Sequence, residues 1–271
     1  MTGQRTYPHG VTSWIDTEQP DPRAAAEFYG ALFGWTLTAA GPTYLIATLD
    51  GKDVGGLAPG GDGQAVWNTY VAVDSADASA EAVTAAGGTV VSPPADPGPA
   101  GRAAVCRDPG GAEFRLWQAR RRLGAQVTNV PGTWNFSDLH TGDPDAALKF
   151  YPAVFGWKAV AMPGAGTMLQ VPGYGDHLAS TVDPGIYERQ AGAPPGFADV
   201  IGGLTTTEPG ETPHWHVTFT VADRDGSAAT AERLGATILG SADEMWAKKA
   251  LVRDPQGAEF TVSQFAPPED W

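Results

Sequence analysis

Cysteine is almost absent from this 271-residue chain. Cys106 stands alone, so no internal disulfide can form, and a reducing, cytoplasmic setting is expected. A lone cysteine on an extended segment reads as a small buried residue before it reads as a nucleophile. Basic residues are scarce as well: 17 Lys and Arg against 31 Asp and Glu leave a formal charge of −14. That balance argues against nucleic acid or an anionic membrane as partner, and it mildly favours a cationic ligand. No apolar run approaches the length of a membrane span. The opening "MTGQRTYPHG" lacks the apolar core of a signal peptide. Also missing are a phosphate-binding glycine loop, a dinucleotide fingerprint and a Ser-His-Asp spacing. The glycines of "GAPPGF" and "GGDG" read as loop residues.

What the chain does contain is itself, twice. "DPRAAAEFYGALFGW" begins at Asp21 and "DPDAALKFYPAVFGW" at Asp143, an offset of 122 (143 − 21). "VWNTYVAV" answers "HWHVTFTV" with Asn68 facing His216, an offset of 148 (216 − 68). "RDPGGAEF" answers "RDPQGAEF" with Asp108 facing Asp254, an offset of 146 (254 − 108). Matched blocks in the same order mark a duplication. The expected domains are residues 8–120 and 131–267, joined by a linker over 121–130. The larger late offsets mark an insertion in the second copy, expected at 183–211, where Gly, Pro and Thr predict a long loop or flap.

Each copy has an inner rhythm. Asp21 caps a predicted helix with Pro22 at its first position and Gly34 just past its end, and Asp143, Pro144 and Gly156 repeat the pattern. Pro152 falls late in that second helix and is expected to bend or shorten it. A short strand precedes each helix and extended segments follow, so each copy reads as two β-α-β-β-β units in an α+β fold.

The FYxxxFGW helix, the "DPxGAEF" turn and the doubled β-α-β-β-β order resemble the vicinal oxygen chelate superfamily. Its members include glyoxalases, extradiol dioxygenases and bleomycin-binding proteins. The resemblance implies tandem domains, each an open cup-shaped sheet with its helices outside. It specifies fold far better than function. In metal-using members, it implies, four side chains from the first and last strands of each unit hold the ion. Carried onto this chain, the first position is Trp14 or Phe136, the third Asn68 or His216, and the fourth Arg115 or Thr261. The second falls near "KDVGGL" and "GDHLAS", where Asp53, Asp176 or His177 are the donors on offer.

Those residues suit a metal poorly. Zinc or iron takes three or four N, O or S ligands. Trp14 and Phe136 offer none, Asn68 is a weak neutral ligand, and the Arg115 guanidinium repels a divalent ion. The expectation is therefore no metal and no cofactor, unless Asp138, His140 or Glu259 is recruited from outside the usual register. His214 and His216 would share one strand face, and that pair reads more blandly as polar contacts at a strand start.

Period-two alternation assigns the cup faces. Copy one supplies Trp14, Asp16, Asn68, Tyr70, Arg115 and Trp117 as candidate ligand-binding residues. Copy two supplies Trp134, Phe136, Asp138, His216 and Thr261. Aromatics with a few convergent polar groups suit a small-molecule site, although the 9 tryptophans could equally fill core. The expected ligand is a flat aromatic or conjugated molecule, a cation being favoured by the net charge. The leading expectation is a metal-free binding protein of the bleomycin-resistance type, serving resistance, sequestration or biosynthetic tailoring beside a partner enzyme. The alternatives are a metal-dependent glyoxalase-like lyase or dioxygenase, and a metal-free tailoring enzyme (an isomerase, cyclase or hydroxylase-like protein) using Asp16, Asp138 or His216 as acid or base.

Overall fold

The computed structural model describes residues 4–268. Copy one runs β1 (Thr12–Gln19), α1 (Pro22–Phe33), β2 (Thr36–Ala39), β3 (Leu45–Leu49) and β4 (Lys52–Pro59), then β5 (Val66–Ala72), α2 (Ala76–Ala85), β6 (Thr89–Ala95), β7 (Gly101–Arg107) and β8 (Glu113–Ala119). Copy two runs β9 (Thr133–Thr141), α3 (Pro144–Phe155), β10 (Lys158–Met162), β11 (Gly166–Gln170), α4 (Tyr174–Thr181), α5 (Ile186–Arg189) and β12 (Val200–Thr206). It closes with β13 (His214–Thr220), α6 (Arg224–Arg233), β14 (Thr237–Asp243), β15 (Ala247–Arg253) and β16 (Glu259–Phe265). Each copy makes one open 8-stranded mixed sheet, ordered β2-β3-β4-β1-β5-β8-β7-β6 and β10-β11-β12-β9-β13-β16-β15-β14. The β-α-β-β-β rhythm read from the sequence is thus present four times.

Local chemistry sets the first helix of each copy. Asp21 accepts the Arg23 and Ala24 amides, and Gly34 closes α1 in the left-handed conformation at φ 76°. Asp143 accepts the Ala146 amide, and Gly156 ends α3 at φ 71°. Pro152 does not shorten α3, which spans 12 residues as α1 does. Proline removes one amide near the helix end, and buried Phe150, Tyr151, Val154 and Phe155 hold the last turn in place by packing.

The inserted stretch is more structured than its composition predicts. Helices occupy 174–181 and 186–189, and residues 200–206 form strand β12 rather than loop. "VGGL" at 54–57 matches "IGGL" at 201–204, an offset of 147 (201 − 54). The extra residues therefore lie ahead of β12, between 171 and 199. Gly and Thr in β12 mislead a composition-based reading, because a strand on which other backbone packs closely favours small residues.

The sheets follow the sequence copies, whereas the compact packing units do not. Over the described residues, one unit comprises 4–13, 69–124 and 137–215, and the other 14–68, 125–136 and 216–268. In the second of these, hereafter unit 2, Tyr29 and Phe33 of α1 pack on Phe219 and Phe260, with ring centroids 4.7–6.0 Å apart. In unit 1, Phe150, Tyr151 and Phe155 of α3 surround Phe114 at 5.9–6.1 Å. The FYxxxFGW helix of each copy thus packs on the last strand of the other.

The "DPxGAEF" motif secures that packing. Asp254 accepts the Gln256, Gly257 and Ala258 amides on one oxygen, and Tyr29 Oη (2.7 Å) and Gln19 Nε2 (2.8 Å) on the other. Asp108 accepts the Ala112 amide and Tyr151 Oη at 3.0 Å. Burial pushes the Asp108 carboxyl above its ordinary range, against the pull of those hydrogen bonds. The aspartates that mark the repeat are structural ties.

Candidate functional site

Alternation along β1 places Trp14 and Asp16 on one face and Ile15, Thr17 and Gln19 on the other. Asp16 is fully buried, and each of its oxygens accepts a hydrogen bond from a side chain. Tyr44 Oη donates to Oδ2 at 2.9 Å, and Asn68 Nδ2 donates to Oδ1 at 2.9 Å. Trp14 Nε1 donates to Tyr44 Oη at 3.0 Å. The result is a relay, Trp14 to Tyr44 to Asp16, closed from β5 by Asn68. Gly56 of β4 lies opposite Asp16 in parallel register. A Cβ there would overlap the Tyr44 hydroxyl, so glycine is what admits the phenol.

Sequence reasoning missed Tyr44. It precedes β3 in an irregular stretch, where alternation carries no signal. The paired glycines of "VGGL" were the available clue to a close approach.

Copy two presents a sparser face within the same unit. Trp134 is buried, and among the described residues its indole Nε1 has no hydrogen-bond partner. Phe136 is half-buried. His216 is buried, with Nε2 2.8 Å from the Thr261 hydroxyl. In unit 1, Tyr70 pairs in register with Arg115. The guanidinium lies 5.5 Å from the Tyr70 ring centroid, and its Nη1 donates to Tyr70 Oη at 3.0 Å. Trp117 meets Tyr70 edge-on at 6.3 Å and donates its indole N–H to the Arg122 carbonyl.

These positions do not fit the metal that the superfamily holds. Trp14 and Phe136 bring no donor, Asn68 is committed to Asp16, Thr261 to His216, and Arg115 is cationic. Copy one's candidate for the second position, Asp53, lies on β4 beside the glycine pair Gly55–Gly56. Asp176 and His177 lie instead on α4, bonded to Tyr187 and Thr6 respectively. Glu259 is exposed and paired with Arg253. Burial pushes the Cys106 thiol up to about 12, so it is no nucleophile at neutral pH.

His140 and His214 behave differently from His216. One donor atom from each of His140, Glu211 and His214 lies within 4.8 Å of the others, the one such group among the described residues. His140 Nδ1 sits 2.6 Å from Glu211 Oε1, and His214 Nδ1 3.7 Å from the same oxygen. The two imidazole centroids are 4.8 Å apart. Glu208-Pro209-Gly210-Glu211 forms a tight turn, with Gly210 at φ 88° and the Glu211 amide donating to the Glu208 carbonyl. The Glu208 amide donates in turn to Glu211 Oε2 at 2.8 Å, which aims Oε1 at the histidines. Partial burial works to raise the Glu211 carboxyl, but the Glu208 amide and the two histidines outweigh it and leave it lowered. Asp138, two residues before His140 on β9, accepts the Gly203 amide at 2.6 Å.

The model of a glyoxalase-like domain matches the chain twice, over residues 14–117 and 122–263. A protein of Mycobacterium tuberculosis named "Putative glyoxylase CFP32" is 36% identical, the match covering 98% of this chain and 99% of the relative. The anthracycline biosynthesis protein DnrV of Streptomyces peucetius is 35% identical, covering 93% of this chain and 92% of its own. Among solved structures, the Mn(II)-bound glyoxalase of Novosphingobium aromaticivorans shares the fold with a TM-score of 0.62 at 17% identity, over 96% of this chain and 85% of that one. With both copies matched and the relatives spanned end to end, the chain belongs to the glyoxalase-like family of the vicinal oxygen chelate superfamily.

Proposed function

We propose that the protein binds a flat aromatic or conjugated small molecule on the strand faces of unit 2, in a resistance, sequestration or biosynthetic tailoring role. The observation that carries this reading is the Trp14–Tyr44–Asp16–Asn68 relay, in which Trp14 and Asn68 stand at two of the positions the family resemblance implies. Its polar atoms are hydrogen-bonded to one another. A bound molecule would therefore gain from ring contact and from a few directed hydrogen bonds rather than from a Lewis acid.

Phe136 and Tyr44, both half-buried, offer ring surface to a ligand. Trp14 is nearly covered and acts by fixing Tyr44. Each aromatic contact adds about 0.5–1.5 kcal/mol beyond area burial, and burying apolar ligand surface adds about 25 cal/mol per Å². After the cost of association, an affinity near micromolar, about −8 kcal/mol, is expected. The name of DnrV, an anthracycline biosynthesis protein, supports aromatic natural products as the ligand class, since anthracyclines are flat fused-ring molecules. The formal charge of −14 favours a ligand bearing an amine.

The test is isothermal titration calorimetry with hydroxylated anthraquinones, with and without an amino group, in the presence of a chelator. Saturable binding weakened about tenfold in Phe136→Ala and Tyr44→Phe is the expected result. Turnover of thiohemiacetals or catechols that the chelator abolishes, without anthraquinone binding, would overturn it.

A further inference from the structure

We propose that His140, Glu211 and His214 form a binding site for a divalent first-row transition-metal ion, where β9 ends and β13 begins. Two imidazoles and one carboxylate are the donor set of open zinc and non-haem iron sites, which keep positions for water or a ligand oxygen. The donor atoms stand within 4.8 Å of one another. Ligands around a tetrahedral ion at ~2.0–2.1 Å lie about 3.3 Å apart, so a small inward movement completes the set.

The surroundings prepare these side chains for an ion. Glu211 is fixed by its own turn, with Oε2 held by the Glu208 amide and Oε1 turned inward. The Thr212 carbonyl lies 2.9 Å from His214 Nδ1. A carbonyl can only accept, so Nδ1 donates to it, and the ligand atom of His214 would be Nε2 rather than the Nδ1 that lies 3.7 Å from Glu211 Oε1. Metal-bound histidines use this kind of outer contact to fix their tautomer and orientation. An ion would replace the proton that His140 Nδ1 shares with Glu211, giving the closely spaced polar atoms a common partner.

The site stands outside the register that the family resemblance supplies. His140 lies four residues beyond Phe136 on the same face of β9, roughly 13 Å along the strand. His214 precedes His216 by two. Glu211 belongs to neither copy's matched blocks. The inference does not rest on the aromatic-ligand reading, since all three residues belong to unit 1.

The experiment uses the full chain, stripped of metal by chelator and titrated with Zn²⁺ by calorimetry and with Co²⁺ by visible spectroscopy. Wild type should bind one equivalent, and Co²⁺ should show ligand-field bands of a low-coordinate nitrogen and oxygen site. His140→Ala and the isosteric Glu211→Gln should each lose more than about 100-fold in affinity, beyond the 10–100-fold typical of an outer contact. His177→Ala, a histidine outside the cluster, should bind as wild type does. Circular dichroism establishes that each variant is folded. Absence of saturable binding to the stripped wild type, or undiminished binding in folded Glu211→Gln, would overturn the proposal. Anthraquinone titration of the same stripped protein reads the unit 2 proposal separately.

Discussion

Replacing Asp254 with alanine should be one of the most destabilising single changes available in unit 2. The carboxylate is buried and accepts five hydrogen bonds, from three turn amides, Gln19 and Tyr29. The Gln256 and Gly257 amides are part-buried and can turn to water. The Tyr29 hydroxyl, Gln19 Nε2 and Ala258 amide are buried and would lose their acceptor. An unsatisfied buried donor costs about 1–3 kcal/mol. Gln19 keeps a second partner in Thr17 and the turn can relax, so the net loss should be about 3–5 kcal/mol. The corresponding Asp108→Ala removes an acceptor from Tyr151 Oη and the turn amides, with no counterpart of the Gln19 bond, and should cost about 2–4 kcal/mol. Tyr29→Phe removes one donor and should cost about 1–2 kcal/mol. Urea unfolding, followed by tryptophan fluorescence and circular dichroism, measures all three changes. In a double-mutant cycle, Tyr29→Phe should cost about 1–2 kcal/mol less in the Asp254→Ala background than in wild type. A smaller cost for Asp254→Ala than for Asp108→Ala, or strict additivity of the Tyr29 and Asp254 changes, would refute the role of the Asp254 carboxylate.

Gly56→Ala should displace the Tyr44 hydroxyl from Asp16 and leave a buried carboxylate with one fewer donor. A stability loss of about 1–3 kcal/mol is expected, together with anthraquinone affinity lowered as in Tyr44→Phe. Wild-type affinity in Gly56→Ala would remove Tyr44 from the binding argument. Cys106, buried and with its thiol pushed up to about 12, should react with a thiol reagent at pH 8 only on the unfolding timescale. Modification that keeps pace with a free thiol in the native protein would refute its placement.

Most of the fold is legible in local sequence signals. Asp caps, glycine stops and the repeated FYxxxFGW and DPxGAEF blocks are local signals, written in the residues that obey them, and the structure places a helix or turn at each. Burial alternates along β8 as period two requires, whereas β5 and β13 are buried on both faces, so burial there does not tell one face from the other. Tertiary structure decided where each face finds its partners. It joined the helix of one copy to the last strand of the other through Tyr29–Asp254 and Tyr151–Asp108, bonds that span 225 and 43 residues. It brought Tyr44 from an irregular stretch onto Asp16, because a glycine in the parallel neighbour left room for the ring. It also resolved the two histidines of "HWH". His216 turns to Thr261, whereas His214 joins His140 and Glu211. No spacing rule could foresee that grouping, since His140 and Glu211 stand 71 residues apart and meet only because β9 and β13 are neighbours in the sheet.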